Sequence, residues 1–241
     1  MDRNEIKLLN EQFKDKTAQE IIDFAIDKFG LSKIILATSL SIEDQVLTDI
    51  FVKANKDCRL FFIDTGRHFQ STYDLLQNTA ELYNVSFEIY APDNKDLEVM
   101  VHEHGPNLFY ESIDLRKKCC EIRKVIPLKR VLKTVDAWVC GLRREQSPTR
   151  DELNVFEWDA GNEIMKVNPL AFWDEQKVWE YIKKENIPYN RLYKENFRSI
   201  GCQPCTRAVK DGENVRDGRW WWENPDRKEC GLHTGKRNTT A

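Results

Sequence analysis

Four short apolar runs, each followed by a turn and a helical stretch, constrain this chain most. Residues 33–37, 59–63, 85–90 and 137–140 read as strands. Residues 42–54 and 69–83 read as helices, and 119–133 as a third that Pro127 kinks or divides. Thr17-Ala-Gln-Glu20 has the form of a capping box and opens a further helix that ends near Phe29-Gly30. Strands alternating with helices specify a doubly wound, mostly parallel α/β sheet. Beyond Arg150 the pattern weakens, apart from a helix over 174–185 with Val178, Trp179 and Ile182 on one face. The expected organisation is one domain in two parts. Residues 1–197 form the α/β part, and 198–241 form a metal-binding segment and a tail.

Ligands of open α/β sheets bind at the carboxyl ends of the strands. Three strand ends here carry suitable chemistry. Ser39-Leu-Ser-Ile-Glu-Asp44 places small residues before a helix N-terminus, a setting for an anion or for a plain capping turn. Asp64-Thr-Gly66 follows the next strand, and Gly141-Leu-Arg-Arg144 the fourth. Arg143, Arg144 and Arg150 suit phosphate or sulfate, because guanidinium presents a planar fork of donors.

Cysteine usage adds a second signal. Cys119-Cys120 and Cys202-Gln-Pro-Cys205 make two tight pairs, and Cys230 stands apart in a polar stretch. The N-terminal residues are polar and mixed in charge, and no apolar run reaches the ~20 residues that span a bilayer. A cytoplasmic chain with reduced thiols is expected, so the pairs read as metal or redox sites. An iron–sulfur cluster, a structural zinc ion and a dithiol redox motif remain open on residue types. Adjacent cysteines favour the cluster, whose thiolates bind different irons. Cys58 and Cys140 lie in or beside strands and read as core. Lys228 and His233 flank Cys230, and nearby cations favour its thiolate. The 241-residue chain has a formal net charge of −3, which argues against general nucleic-acid binding.

Cys119-Cys120, Gly201-Cys-Gln-Pro-Cys205, Gly218-Arg-Trp-Trp-Trp222 and Glu229-Cys-Gly-Leu-His233 together resemble the iron–sulfur branch of the adenylyl/phosphoadenylyl sulfate reductases, the assimilatory adenosine 5′-phosphosulfate reductases. The 39–44 turn resembles that family's PP-loop, although Ser41 stands where Gly is usual and Ile42 where a small residue is usual. Ser41 serves if its φ is negative. The resemblance implies reduction of adenosine 5′-phosphosulfate to sulfite and AMP, with Cys230 as nucleophile and an enzyme S-sulfocysteine intermediate. Thioredoxin or glutaredoxin is the implied reductant. A [4Fe–4S] cluster on Cys119, Cys120, Cys202 and Cys205 is implied, without a role as electron donor. Lys124, Arg216, Arg219 and His233 match the family's positions around the sulfuryl group. Arg143 and Arg144 would help hold the phosphosulfate, and Ser39, Ser41, Asp64, Thr65 and Gly66 would contact the substrate. The alternative is a phosphoadenosine phosphosulfate reductase or a dual-substrate enzyme. No Lys or Arg lies in 38–41 or 64–66, which favours the nucleotide without a 3′-phosphate. Neither a membrane nor a nucleic-acid partner is expected, and self-association is left open.

Overall fold

A computed structural model describes residues 2–146 and 150–223. Six strands form one sheet: β1 Ile34–Thr38, β2 Arg59–Ile63, β3 Phe87–Tyr90, β4 Ala137–Val139, β5 Phe156–Asp159 and β6 Ile164–Val167. Their order is β3-β2-β1-β4-β6-β5, and every pairing is parallel except β5 with β6 at the edge. The chain therefore runs outward from β1 to β3, then crosses back to place β4 on the other side of β1. That reversal opens a crevice at the carboxyl ends of β1 and β4. The expected doubly wound, mostly parallel sheet is the observed fold.

The central strands are apolar along their length because helices cover the sheet. Ile34, Ile35 and Leu36 are fully buried, as are Leu60, Ala137 and Val139. Helix α2 (Ala18–Phe29) starts at the Thr17–Glu20 capping box and ends at Gly30, whose φ is 78°. Helix α3 (Ile42–Ala54) is buried from Ile42 to Val52, packed on β1 and touched by α2 and by α8 (Glu175–Glu185). Helix α4 spans Gln70–Tyr83. Among the described residues no helix is long and apolar enough to cross a membrane.

Three features depart from the expectations. An N-terminal helix, α1 (Arg3–Phe13), is capped by Asp2 and Glu5 and buries only Phe13. A further helix, α5, spans Asn94–His104 behind the Asp93 cap. The helix expected from Cys119 begins earlier, with Ser112 capping α6 (Ile113–Cys120). It then passes through one wide π turn, Glu121–Val125, into α7 (Ile126–Leu132). Pro127 has no N–H to return to the preceding turn, and the π turn ahead of it takes up the missing bond without ending the helix.

Candidate functional site

A cavity of about 510 Å³ opens at the carboxyl ends of β1, β2 and β4. Ser39 and Ser41 line it from the turn after β1. That turn is held from within. The Asp44 carboxylate accepts the Ser39 N–H at 2.7 Å and its hydroxyl at 2.6 Å, and the Ser41 hydroxyl accepts the Asp44 N–H at 3.2 Å. Ser41 has φ −65°, so its position needs no glycine. The left-handed residue is Leu40, at φ 61°, and its buried side chain packs on Phe62 and Leu75. Burial pushes the Asp44 carboxyl up to about 6, against the opposing hydrogen bonds from Ser39. Gly141, leaving β4, meets this carboxylate: a Cβ there would stand 2.4 Å from Asp44 Oδ1.

Of the three residues expected after β2, only Thr65 lines the cavity. Asp64 instead accepts the Gly66 N–H at 2.8 Å and the Tyr73 hydroxyl at 2.7 Å. Gly66, at φ 67°, makes the bend. Thr65 faces two ways, because its Oγ1 also lies 3.3 Å from Cys202 Sγ and its carbonyl accepts from Arg123 at 2.6 Å.

The two adjacent arginines diverge. Arg143 lines the cavity, but its buried guanidinium is tied to Glu43 at 2.9 Å and to Glu145 at 2.9 Å. Arg144 turns to the other side, donating to the Leu153 carbonyl at 2.7 Å and lying over the Phe172 ring at 4.5 Å. It lines an outer groove beside α1 and β5, away from the cavity. Lys124, Arg216 and Arg219 all line the cavity. Arg150 and Arg198 line it too, and so does His68, which went unread as a site residue. Burial holds His68 down to about 4, with Lys124 and Arg219 pushing the same way, so its ring is neutral at pH 7. A histidine five residues beyond a strand end carries no local pattern that would have singled it out.

The four paired cysteines meet. Cys119 and Cys120 end α6, Cys202 and Cys205 bracket a short 3₁₀ turn, and all join one apolar cluster with Met100, Phe109 and Trp220. Burial raises the Cys119 thiol and pushes Cys205 up to about 12. Arg123 works against this at Cys119, and Arg219 and Lys124 work against it at Cys205. Lys124 and Arg219 thus serve two fields at once, the thiols and the cavity. Among the described residues no three His, Cys, Asp or Glu side chains are grouped so as to hold a single metal ion. Cys58 and Cys140 are core residues, with thiols raised by burial. Cys230 and His233 lie outside the described residues.

The family model for the phosphoadenosine phosphosulfate reductase domain matches residues 33–208, which include both cysteine pairs and every strand. The chain belongs to this reductase family. An adenosine 5′-phosphosulfate reductase of Allochromatium vinosum is 49% identical over 203 residues, 84% of this chain and 79% of that one. The corresponding Burkholderia cepacia protein is 47% identical over 201 residues, 83% and 80% of the two chains. Among solved structures, the phosphoadenylyl-sulfate reductase of Candida auris, a phosphate complex, aligns with a TM-score of 0.74 at 30% identity, covering 87% of this chain and 98% of that one. Candida glabrata FMN adenylyltransferase aligns at 0.55 and 18% identity over 88% and 72%, which shows the shared fold alone. The resemblance to the reductase family is met.

Proposed function

We propose that this reductase converts adenosine 5′-phosphosulfate to sulfite and AMP through an S-sulfocysteine on Cys230. One observation carries the reading: Lys124 and Arg219 line the strand-end cavity and also act on the buried thiols. A thiolate approaching a sulfuryl group meets like charge, and cations fixed around the sulfur relieve that repulsion. Lys124, Arg216 and Arg219 supply them here, and His233 is assigned to the same task from the tail.

The Cys230 sulfur forms a bond to the sulfate sulfur. The bond between that sulfur and the bridging oxygen breaks, and AMP leaves with the electron pair. A dithiol protein, thioredoxin or glutaredoxin, then attacks the Cys230 sulfur. Sulfite departs with the electrons of the S–S bond, and the partner's second thiol resolves the mixed disulfide. The partner supplies both electrons. Neutral His68, which lines the cavity, is assigned to contact the nucleotide, whereas Arg143 shapes the wall through Glu43.

The residues fit a [4Fe–4S] cluster. Four soft thiols gather in one buried volume, where burial makes Cys119 and Cys205 costly to ionise and Arg123, Lys124 and Arg219 offset negative charge. The adjacent pair Cys119-Cys120 is an unusual ligand spacing for a single zinc ion, whereas a cluster offers neighbouring thiolates different irons. Cys119, Cys120, Cys202 and Cys205 would hold the cluster, which when bound supplies order and local polarisation. The reaction, the cluster and the thiol partner make this a cytoplasmic enzyme of assimilatory sulfate reduction.

The test is mass spectrometry of anaerobically prepared protein given adenosine 5′-phosphosulfate and no thiol. An added SO₃ on Cys230 is expected, and Cys230→Ser should form neither adduct nor sulfite. An adduct on Cys58 or Cys140 would remove Cys230 from the mechanism.

A further inference from the structure

Arg219 sits in a slot. One wall is Gly201, where a methyl group on Cα would lie 2.4 Å from Arg219 Cζ and Nη2 and 2.5 Å from Nη1. Gly201 is not in the left-handed region, so space rather than conformation calls for glycine there. A second wall is the Trp220 ring, whose centroid lies 4.7 Å from Arg219 Cζ. Trp220 adopts φ 41°, which a bulky residue rarely does, and it is 1% exposed. Among the described residues Arg219 Nε is buried with no hydrogen-bond partner, although the side chain opens on the cavity.

Both walls belong to the cysteine segment. Gly201 precedes Cys202, and the Trp220 N–H donates to the Cys205 carbonyl at 3.2 Å. Arg116 Cζ also lies 4.7 Å from the Trp220 centroid. Arg116 is buried three residues before Cys119 and grips Glu223 through Nε at 2.9 Å and Nη2 at 2.8 Å. The ring is thereby fixed from the helix that carries the other cysteine pair.

We propose that Gly201 and Trp220 are positioning residues that hold the plane of the Arg219 guanidinium toward the phosphosulfate end of the cavity; this rests on the function argued above. A guanidinium binds an oxyanion through donors in one plane, so a slot that fixes the plane pre-orients the bond and spares a long side chain its loss of freedom on binding. The cysteine segment thus sets the aim of a substrate-binding cation.

A double-mutant cycle tests this. Affinity for adenosine 5′-phosphosulfate is measured by calorimetry in a Cys230→Ser background, so that the nucleotide is not consumed. In Gly201→Ala the new methyl meets the far end of a flexible side chain, so Arg219 swings aside while the backbone stays. Affinity should fall about tenfold, yet less than about twofold when Arg219 is already Ala, because neighbours that act through one contact are not additive. Trp220→Leu should repeat this non-additivity, and Trp220→Phe, which keeps a ring face, should retain most affinity. Equal losses in both backgrounds, or unchanged affinity in Gly201→Ala, overturn the slot. If Gly201→Ala does not fold, the Trp220 cycle decides alone. Parent protein that binds no adenosine 5′-phosphosulfate fails the functional reading itself, and the role of the slot goes with it.

Discussion

The two ends of the cavity are built on opposite principles. The turns after β1 and β2 are tied within the chain: Asp44 takes both Ser39 donors, Asp64 takes Gly66 and Tyr73, and Glu43 holds Arg143. At the cysteine end, Arg123 Nε, Arg219 Nε and Trp220 Nε1 are buried without partners among the described residues. Buried donors left unmade are expensive, and three of them cluster around the cysteines. Under the proposed function, the nucleoside end is preformed and the cysteine end is completed by what it binds.

The sharpest way to break this contrast is to remove a cysteine. Cys205→Ser should lose its iron and nearly all sulfite formation, while AMP affinity stays within about twofold because the turn after β1 is held from within by Asp44 and Ser41. Iron and sulfide analysis with calorimetry checks it. AMP affinity lost in parallel would show that the nucleoside end is not preformed. Stoichiometric zinc in anaerobically prepared parent protein would remove the cluster from the account.

A smaller effect is expected from the shared cations. Arg219→Ala and Lys124→Ala each forfeit a charge-assisted contact, about 1.5–3 kcal/mol, or roughly ten- to 150-fold in kcat/KM. Steady-state kinetics with one thioredoxin measures this. Unchanged kcat/KM in both variants would separate these residues from the sulfuryl group. The same assay compares the nucleotide with and without a 3′-phosphate. Preference for the form without it is expected, since Thr38, Ser39, Ser41 and Thr65, which line the cavity at these strand ends, include no Lys or Arg. A clear preference for the 3′-phosphorylated form would favour the phosphoadenosine reading.

A packing change at the preformed end should act on stability instead. Leu40→Ala empties a buried site beside Phe62 and Leu75, and large-to-small core changes cost about 2–5 kcal/mol. Urea titration should show this with cluster content unchanged. Iron loss in that variant would couple the two ends.

The same contrast explains what could be read in advance. Four strands and the cysteine pairs were legible because apolar runs and tight spacings are local signals. The β5–β6 hairpin was not: its strands are four residues each, and buried Asp159 and Lys166 break the apolar pattern. Helix α1 is polar and held mainly by Phe13 and by Asn10, whose amide pairs with both backbone groups of Phe156. Within the site, neighbouring residues of like chemistry could not be told apart. Arg143 and Arg144 leave the same strand end in different directions, and Thr65 faces inward between two residues that do not. The gathering of Lys124, Arg219 and the thiols is a tertiary fact with no local signature.

The smallest expected effect concerns Asp44, the clasp of the preformed end. Burial raises its carboxyl from the ordinary 3.8 to about 6, so the folded state holds a proton that the unfolded chain releases. Between those values the native state binds more protons, and stability must fall as pH rises from about 4 to about 6. The rise corresponds to at most about 3 kcal/mol, and less after the buried carboxylate relaxes around its Ser39 bonds. Asp44→Asn removes the titration while keeping an oxygen that can accept one Ser39 donor. The variant should therefore lose one hydrogen bond at every pH but gain on the parent between pH 5 and 7. Urea unfolding of both proteins at pH 5, 6 and 7 decides it, because acid effects on the cysteine end cancel in the difference. A constant difference across that range would mean that Asp44 is charged throughout. The turn would then be held by a buried carboxylate whose hydrogen bonds outweigh its desolvation.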